Sequence, residues 1–214
     1  GNALAADFRQ NQRRRGMEVS VYRELQATVE WALDRIAAGN TCCVDVLEVA
    51  SAGQRVAGVA VAFFGFIAEI DLVAEPMRWL GPGRFDIAAL WGLAKRRPMP
   101  QCRVEVLGPD GARRVLTNIA EEGGAAWLSL AVDLGQHWSD TTRASPSSQL
   151  DDGVAELHVI KCAKSRQQLL KGFSFLATGA HTSMAHVHDV IETLPFVEAT
   201  ITFFNDGDAA AEGG

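Results

Sequence analysis

Charged side chains of both signs are most densely grouped just after a long apolar run of the sequence. These residues are Glu69, Asp71, Glu75, Arg78 and Arg84. If a helix begins near Asp71, then Asp71, Glu75 and Arg78 follow at i, i+4 and i+7 on one face, and a turn at 81–83 presents Arg84 separately. Two arginines with acids could clamp phosphates and fix a hydroxyl group. The alternative is a solvated helix with ordinary ion pairs, each worth about 0.3–0.5 kcal/mol.

The histidines form a second group of candidate metal ligands. His181, His186 and His188 lie in the segment AHTSMAHVHDV, and on a strand His186 and His188 would share a face. No third ligand stands at a zinc-site spacing and no HExxH motif is present, so we expect surface or hydrogen-bonded histidines here. His137 and His158 are isolated in the sequence and predict no site.

Two glycine-containing segments carry several acidic residues. Asn205-Asp206-Gly207-Asp208 is compatible with a hairpin turn, or with carboxylates and backbone amides placed beside a nucleotide or Mg²⁺. We interpret Asp151-Asp152-Gly153 as a turn alone. The sequence has no GxSxG, Walker A or GxGxxG string, which argues against the hydrolase, P-loop and dinucleotide-binding classes.

The composition of the 214-residue chain is that of an ordinary globular protein. Apolar residues make up 48% and charged residues 21%, which argues against a disordered or coiled-coil chain. The net charge of −6 predicts no nucleic-acid partner. The four cysteines form no CxxC pair, which indicates reduced thiols in a cytosolic setting. The longest apolar run, 56–68, is shorter than the roughly 20 residues that span a membrane, and we interpret it as a buried strand.

Hydrophobic periodicity predicts the elements that must position these groups. Steps of three and four predict a helix over 21–36, ended by Gly39 and Asn40, and two further helices lie around 72–94 and 165–177. Runs rich in Val, Phe and Ile predict strands at 44–50, 56–70, 103–107, 126–134, 154–160 and 199–204. Many short strands with turn signals predict a mainly β fold, an antiparallel β-sandwich with helical inserts.

Four segments of the chain follow one another in the order of a known family's motifs. GNALA is similar to the end of a GSGNALA loop, and NDGD stands in the place of a late VDGE motif. GFIAEIDLVAEPMRWLGPGRF is similar to GFxxDVDxESExxRxLGxxRF, the most specific match, and KSRQQLLKGFSFLATGAH is similar to VSRxxLLxxFxxxxxGxH. From Gly1 to Asp208 the chain thus resembles the sphingosine kinase branch of the diacylglycerol kinase catalytic-domain family.

The resemblance implies a two-domain lipid kinase with an α/β N-terminal domain and a β-sandwich C-terminal domain. The family's general-base aspartate lies in a GGDGT motif that this sequence lacks, so we expect a fragment that begins after it. Residues 1–40 would be the end of the nucleotide-binding α/β domain with connecting helices, 41–208 the lipid-binding β-sandwich domain, and 209–214 a disordered tail. We expect no general base within the chain and no turnover by the chain alone.

The resemblance also assigns roles within the charged group. Asp71 matches the aspartate that holds the polar head of the lipid, and Arg78 and Arg84 match two arginines that bind ATP phosphates. Glu69 replaces an aspartate of the family pattern and Ala74 replaces a serine.

Residues near both ends of the chain match nucleotide-binding positions. Gly1 falls in the glycine segment that contacts the nucleotide, and Asp206 and Gly207 match a late nucleotide-contacting pair. Asp208 replaces a glutamate that helps to hold Mg²⁺, and its shorter side chain would act through water.

The implied reaction is phosphorylation of the primary hydroxyl of a sphingoid long-chain base by ATP with Mg²⁺. The apolar runs 59–67 and 173–176 could form the walls of a slot for the lipid chain, with Asp71 at its mouth. Two alternatives stay open: diacylglycerol or another lipid alcohol as acceptor, and a non-catalytic lipid-binding module or pseudokinase. We expect a cytoplasmic protein recruited peripherally to a membrane surface, and a homodimer is left open.

Overall fold

The computed structural model describes residues 33–34, 36–39, 41, 43–51, 53–81, 83–95, 97–119, 122, 125–138, 142–162, 165–183 and 190–204. Most of the helix predicted over 21–36 lies outside these residues, but its end is described. Gly39 has a φ of 65°, and its amide donates to the carbonyl of Ile36. The predicted helix end is therefore confirmed.

The apolar run predicted as one strand over 56–70 is in fact parts of three elements. Strand β2 (Gln54–Gly58) pairs antiparallel with β1 (Leu47–Ser51) in an exposed hairpin. Strand β3 (Val61–Gly65) belongs to a different sheet, and helix α1 (Phe66–Ala74) follows it directly. The single-strand prediction was wrong because Gly65 has a φ of 73°, outside the range of a strand, and turns the chain from sheet into helix.

Two antiparallel sheets form the body of the described fold. Their remaining strands are β4 (Cys102–Leu107), β5 (Arg113–Thr117), β6 (Trp127–Asp133), β7 (Ala155–Lys161), β8 (Ile191–Phe196) and β9 (Glu198–Phe203). One sheet has the order β3-β6-β7-β8 and the other β5-β4-β9. β6 is buried along its whole length, which is expected of a central strand covered on both faces.

The sandwich core lies between these two sheets. β4 alternates buried and exposed residues, and its buried Val104 packs in one cluster with Leu130 of β6, Leu157 of β7 and Phe196 of β8. The predicted antiparallel β-sandwich with helical inserts is confirmed. Strands β5 and β8 were not predicted, because β5 begins with two arginines and β8 contains Pro195, both unusual for a strand.

Helices cover the other face of the four-stranded sheet. The helix predicted over 72–94 is two helices, α1 and α2 (Gly83–Lys95), separated by a 3₁₀ segment (Glu75–Leu80) that kinks at Met77. A second buried cluster joins helices and sheet; it includes Phe66, Leu93, Leu128, Ile160, Leu169 and Ile191.

The third helix, α3 (Arg166–Thr178), was predicted almost to its bounds. Its first turn is closed by a capping box, in which the Ser165 hydroxyl accepts from the amide of Gln168 and the Gln168 side chain accepts from the amide of Ser165. It ends at Gly179, which has a φ of 75°, and a 3₁₀ turn (Ala180–Ser183) follows.

Candidate functional site

Asp71 lies on a helix whose start is fixed against the four-stranded sheet. Gly65 passes so close to β6 that a Cβ atom there would lie 2.7 Å from the carbonyl oxygen of Leu128. The hydroxyl group of Ser129 accepts from the amide of Ile67 at 3.2 Å and donates to a β3 carbonyl. These contacts determine where α1 begins, and they place Asp71 in its second turn.

Helix α2 approaches α1 closely and so brings Arg84 within electrostatic reach of Asp71. A Cβ atom on Gly92 would lie 2.4 Å from Cε2 of Phe66, so only a glycine permits this approach without a shift. Arg84 lies in the first turn of α2, and its amide donates to the carbonyl of Gly81 at 3.3 Å. Two helices and the turn between them thus set the position of this charge pair.

The carboxyl group of Asp71 experiences two opposing effects. Burial raises the pKa of Asp71 above its ordinary value of 3.8, and the positive charge of Arg84 lowers it by a smaller amount. The side chain is therefore partly desolvated while remaining open to solvent on one side. A carboxylate in such a position suits a cationic group, which would recover the hydration that burial removes.

Arg84 has an unused buried donor. Its Nε atom is buried and donates to no residue that the structure describes, while the guanidinium carbon lies 4.5 Å from the centre of the Phe85 ring. A buried N–H without an acceptor is costly, and the planar guanidinium group suits phosphate oxygens. The site therefore fits an anion such as a phosphate group.

The predicted helix face shared by Asp71, Glu75 and Arg78 is not formed. Helix α1 ends at Ala74, and the kink at Met77 turns the following residues out of its register. Arg78 instead forms an ion pair with Glu75 at 2.6 Å, in which the two side chains are 71% and 57% exposed. Its predicted role at ATP phosphates is neither supported nor contradicted by this position.

The two predicted walls of a lipid slot are in contact. The rings of Phe66 in α1 and Phe173 in α3 lie 5.7 Å apart, and both belong to the cluster between helices and sheet. Asp71 is on the same helix as Phe66. Phe66 is 4% exposed, so the contact between the two predicted walls is part of the buried core.

Sequence reasoning missed a buried polar network on the helix-covered face of the sheet. Nε2 of His158 lies 2.8 Å from Oδ2 of Asp133 and 2.7 Å from the Ser145 hydroxyl, which itself donates to Oδ2 of Asp133. Nδ1 of His158 contacts the Thr193 hydroxyl at 2.8 Å, and the Trp138 indole donates to Oδ1 of Asp133 at 2.6 Å. The interpretation of His158 as isolated was wrong.

This network is not a hydrolase triad. Asp133 and Ser145 both meet the same nitrogen of His158, whereas a triad needs the acid on the other nitrogen to orient the ring. Only the strand register, which places Asp133 beside Glu156 and Thr193 beside His158, shows that these residues meet. No local signal in the sequence could have identified it.

Other predictions have mixed outcomes. The turn at Asp151-Asp152-Gly153 is confirmed, and the Asp45 carboxylate accepts from the amides of Asp152 and Gly153. His181 is buried, with its ring 5.6 Å from that of His158. The predictions for the remaining terminal and histidine positions lie outside the described residues; these are Gly1, His186, His188, Asp206, Gly207 and Asp208.

Among the described residues, clusters of metal-binding side chains and membrane-spanning helices are both absent. Within that part of the chain, no three His, Cys, Asp or Glu side chains are grouped as a metal ion would require. None of the described helices combines the length and the apolar character needed to cross a bilayer.

Known proteins similar to this chain include sphingosine kinases. The chain is 25% identical to sphingosine kinase 1 of Arabidopsis thaliana over 172 aligned positions, covering 67% of this chain and 35% of that protein. It is 24% identical to sphingosine kinase 1 of Mus musculus over 156 positions, covering 63% of this chain and 41% of that protein. The resemblance indicated by the motifs is thereby confirmed.

Among solved structures, one similar to this chain is that of a diacylglycerol kinase from Bacillus anthracis. The two are 12% identical in sequence, with a TM-score of 0.48, and the match covers 93% of this chain and 53% of that one. No protein-family model matches the chain. The chain spans 35% and 41% of the length of the two sphingosine kinases described above.

Proposed function

We propose that this chain, similar to the sphingosine kinases, forms the lipid-binding part of a kinase that phosphorylates the primary hydroxyl group of a sphingoid base. The hydroxyl oxygen forms the new P–O bond, the bond from the γ-phosphorus of ATP to the bridging oxygen breaks, and ADP leaves. The hydroxyl proton passes to a general base in a GGDGT-type segment outside this chain. The observation that carries the proposal is the coupling of Asp71 to Arg84 on helices that also build an apolar cluster.

Arg84 would bind the phosphates of ATP. Its buried Nε atom donates to no described residue, and a phosphate oxygen would satisfy it. Arg78 would act beside it after exchanging its exposed partner Glu75 for a phosphate. Because phosphoryl transfer depends mainly on positioning and charge neutralisation, two arginines on the polyphosphate meet much of its requirement.

The remaining nucleotide contacts are proposed from the family resemblance. Gly1, Asp206 and Gly207 would contact the nucleotide, and Asp208 would help to hold Mg²⁺, which when bound neutralises polyphosphate charge. The described residues supply no ligand group for the metal, so this part of the proposal depends on Asp208.

Asp71 would bind the ammonium group of the sphingoid base and so orient the neighbouring hydroxyl. A partly desolvated carboxylate gains more from a cation than from a neutral hydroxyl group. The alkyl chain would pack against the apolar cluster between helices and sheet to which Phe66 and Phe173 belong. We accordingly assign residues 41–208 to the lipid-binding domain and 1–40 to the segment that connects it to the nucleotide-binding domain.

A sphingoid base is held in membranes, so the protein would have to contact a membrane surface to bind it. Large apolar side chains are exposed along α1, the 3₁₀ segment and α2, among them Leu72, Trp79, Leu90 and Trp91. Nζ of Lys95 lies 4.8 Å from the Trp91 ring, so a cation accompanies this apolar surface. We propose peripheral binding through this surface, because aromatic and basic side chains together suit an anionic lipid interface.

The proposal is tested with the product of the complete transcript that encodes this chain, in parallel with the 214-residue chain alone. With radiolabelled ATP and Mg²⁺, we expect the complete product to phosphorylate sphingosine and the chain alone to show no turnover. Phosphorylation of diacylglycerol in preference to sphingosine would overturn the assigned acceptor. Binding of sphingosine without any phosphorylation by the complete product would overturn the kinase and leave a lipid-binding module.

A further inference from the structure

A cavity of about 400 Å³ lies at the β7–β8 edge of the four-stranded sheet, beside the loop that precedes β7. Its polar lining includes Ser148, Asp152 and Glu156, and its apolar lining includes Val154, Ile191 and Pro195. Neither lysine nor arginine is among the described residues that line it. The cavity is thus acidic and rich in acceptors on one side and apolar on the other.

Two buried polar groups in this lining are unsatisfied. Glu156 is 6% exposed; its Oε1 accepts from the Ser147 hydroxyl, but its Oε2 has no hydrogen bond to any described residue. The nearby Nε2 of His158 is 3.9 Å from Oε2, beyond hydrogen-bond distance. Ser148 is 4% exposed, and within the described part of the chain its hydroxyl is likewise unbonded. Buried polar groups are rarely left in this state, so a ligand that supplies donors would relieve it.

The cavity is well separated from Asp71. Asp71 follows β3, at one edge of the four-stranded sheet, whereas Glu156 in β7 and Thr193 in β8 border the other edge. Strands are spaced by roughly 4.8 Å, so β7 and β8 lie about 10 Å and about 14 Å from β3 across the sheet. A ligand in this cavity would therefore not be held by the charge pair of Asp71 and Arg84.

We propose that this cavity binds the primary ammonium group of a small alkylamine. An ammonium group has three N–H donors, which match the Glu156 carboxylate, the Ser148 hydroxyl and the Asp152 carboxylate. Its positive charge compensates two carboxylates in a lining whose described residues include His181 but neither lysine nor arginine, and Val154 and Ile191 contact the attached methylene groups.

The proposal stands apart from the kinase function and is tested on the 214-residue chain by calorimetric titration at constant ionic strength. The probe is n-butylammonium, with n-butanol and tetramethylammonium as controls of similar apolar size. We expect saturable binding of n-butylammonium only. If n-butanol binds equally well, the cavity recognises apolar groups and not charge. If tetramethylammonium binds equally well, the cavity does not require N–H donors. Either result overturns the proposal.

Variants then locate the site. Glu156→Gln should weaken n-butylammonium binding about tenfold or more, and Ser148→Ala, which breaks no hydrogen bond to a described residue, should weaken it about threefold to tenfold. Glu105→Gln removes an exposed carboxylate on β4, in the other sheet, and should leave n-butylammonium binding unchanged. Thermal unfolding identifies a variant that fails to fold. If Glu156→Gln unfolds, Ser148→Ala decides: unchanged affinity in a folded Ser148→Ala protein overturns the proposal, as does an equal loss of binding in Glu105→Gln.

Discussion

Arg84 acts on Asp71 across two helices: its positive charge lowers the pKa of a carboxyl group whose burial raises it. The two residues are separated in sequence by the end of α1, a 3₁₀ segment and a glycine-rich turn. Because Nε of Arg84 is buried without a described acceptor, the guanidinium group keeps a donor for an anion while its charge acts on Asp71. The proposed anion site at Arg84 thus lies within electrostatic reach of the proposed cation site at Asp71.

Replacement of Arg84 by alanine should weaken the use of ATP by the complete kinase. Loss of a hydrogen bond to a charged group costs about 1.5–3 kcal/mol, so we expect the KM for ATP to rise by about tenfold or more. The assay compares the two proteins at the same pH, since loss of Arg84 removes the charge that lowers the pKa of Asp71. Arg55→Ala is a matched control, because Arg55 pairs with Glu48 in the separate exposed hairpin. An unchanged ATP dependence in Arg84→Ala would remove Arg84 from the phosphate site.

The stability of the chain should depend on pH through Asp71 in a defined direction. Folding raises the pKa of Asp71 above 3.8, so the stability that this group contributes is fully present below 3.8 and is lost as pH rises through the folded pKa. Asp71→Asn should therefore unfold at higher urea concentration than the wild type at pH 7, and the difference should diminish towards pH 4. A variant less stable than the wild type by a constant amount at every pH contradicts this assignment.

The close approach of α1 and α2 should depend on Gly92. In Gly92→Ala the new methyl group would meet the buried ring of Phe66, which is confined by Phe173, so a shift of α2 is required. We expect a loss of about 1–3 kcal/mol in the free energy of unfolding, together with a raised KM for ATP as Arg84 moves. Gly83→Ala, in the same helix, has nothing within 4 Å of its Cβ and serves as the control. Equal stability of the two variants would contradict the packing argument.

The apolar surface on α1 and α2 should determine membrane binding. Trp91→Glu places a charge in the proposed interface, and we expect binding to vesicles of phosphatidylserine and phosphatidylcholine in sedimentation assays to fall at least about tenfold. Val115→Glu is the control, since Val115 is 62% exposed on β5 and Trp91 is 58% exposed on α2. Equal losses of vesicle binding in Trp91→Glu and Val115→Glu would show that the added negative charge reduces binding wherever it is placed, which would contradict a role for this surface.

Periodicity predicted those parts of the fold that local patterns determine. Runs rich in Val, Phe and Ile predicted strands at 103–107 and 126–134, which the structure has as β4 and β6, and the helix predicted around 165–177 is α3. The break at Gly65 escaped prediction because a glycine inside an apolar run is compatible with a strand, and its close approach to Leu128 is a tertiary contact. The local pattern carries no trace of that tertiary contact.

Long-range contacts explain why only part of the candidate site could be predicted. Asp71 and Arg84 were singled out by charge density and by motif, but their coupling depends on how α2 packs, which spacing did not reveal. The network of Asp133 with His158 and the cavity beside Glu156 depend on register between strands distant in sequence. Residues that meet in this way leave no local periodic signal.

The ratio of kcat/KM for sphingosine to kcat/KM for diacylglycerol in Asp71→Asn, measured on the complete kinase at saturating ATP, tests the central claim most directly. If Asp71 binds the substrate ammonium group, the value for sphingosine falls by at least about tenfold, while that for the neutral lipid changes by less than about threefold. Equal losses with both lipids would contradict an ammonium site at Asp71.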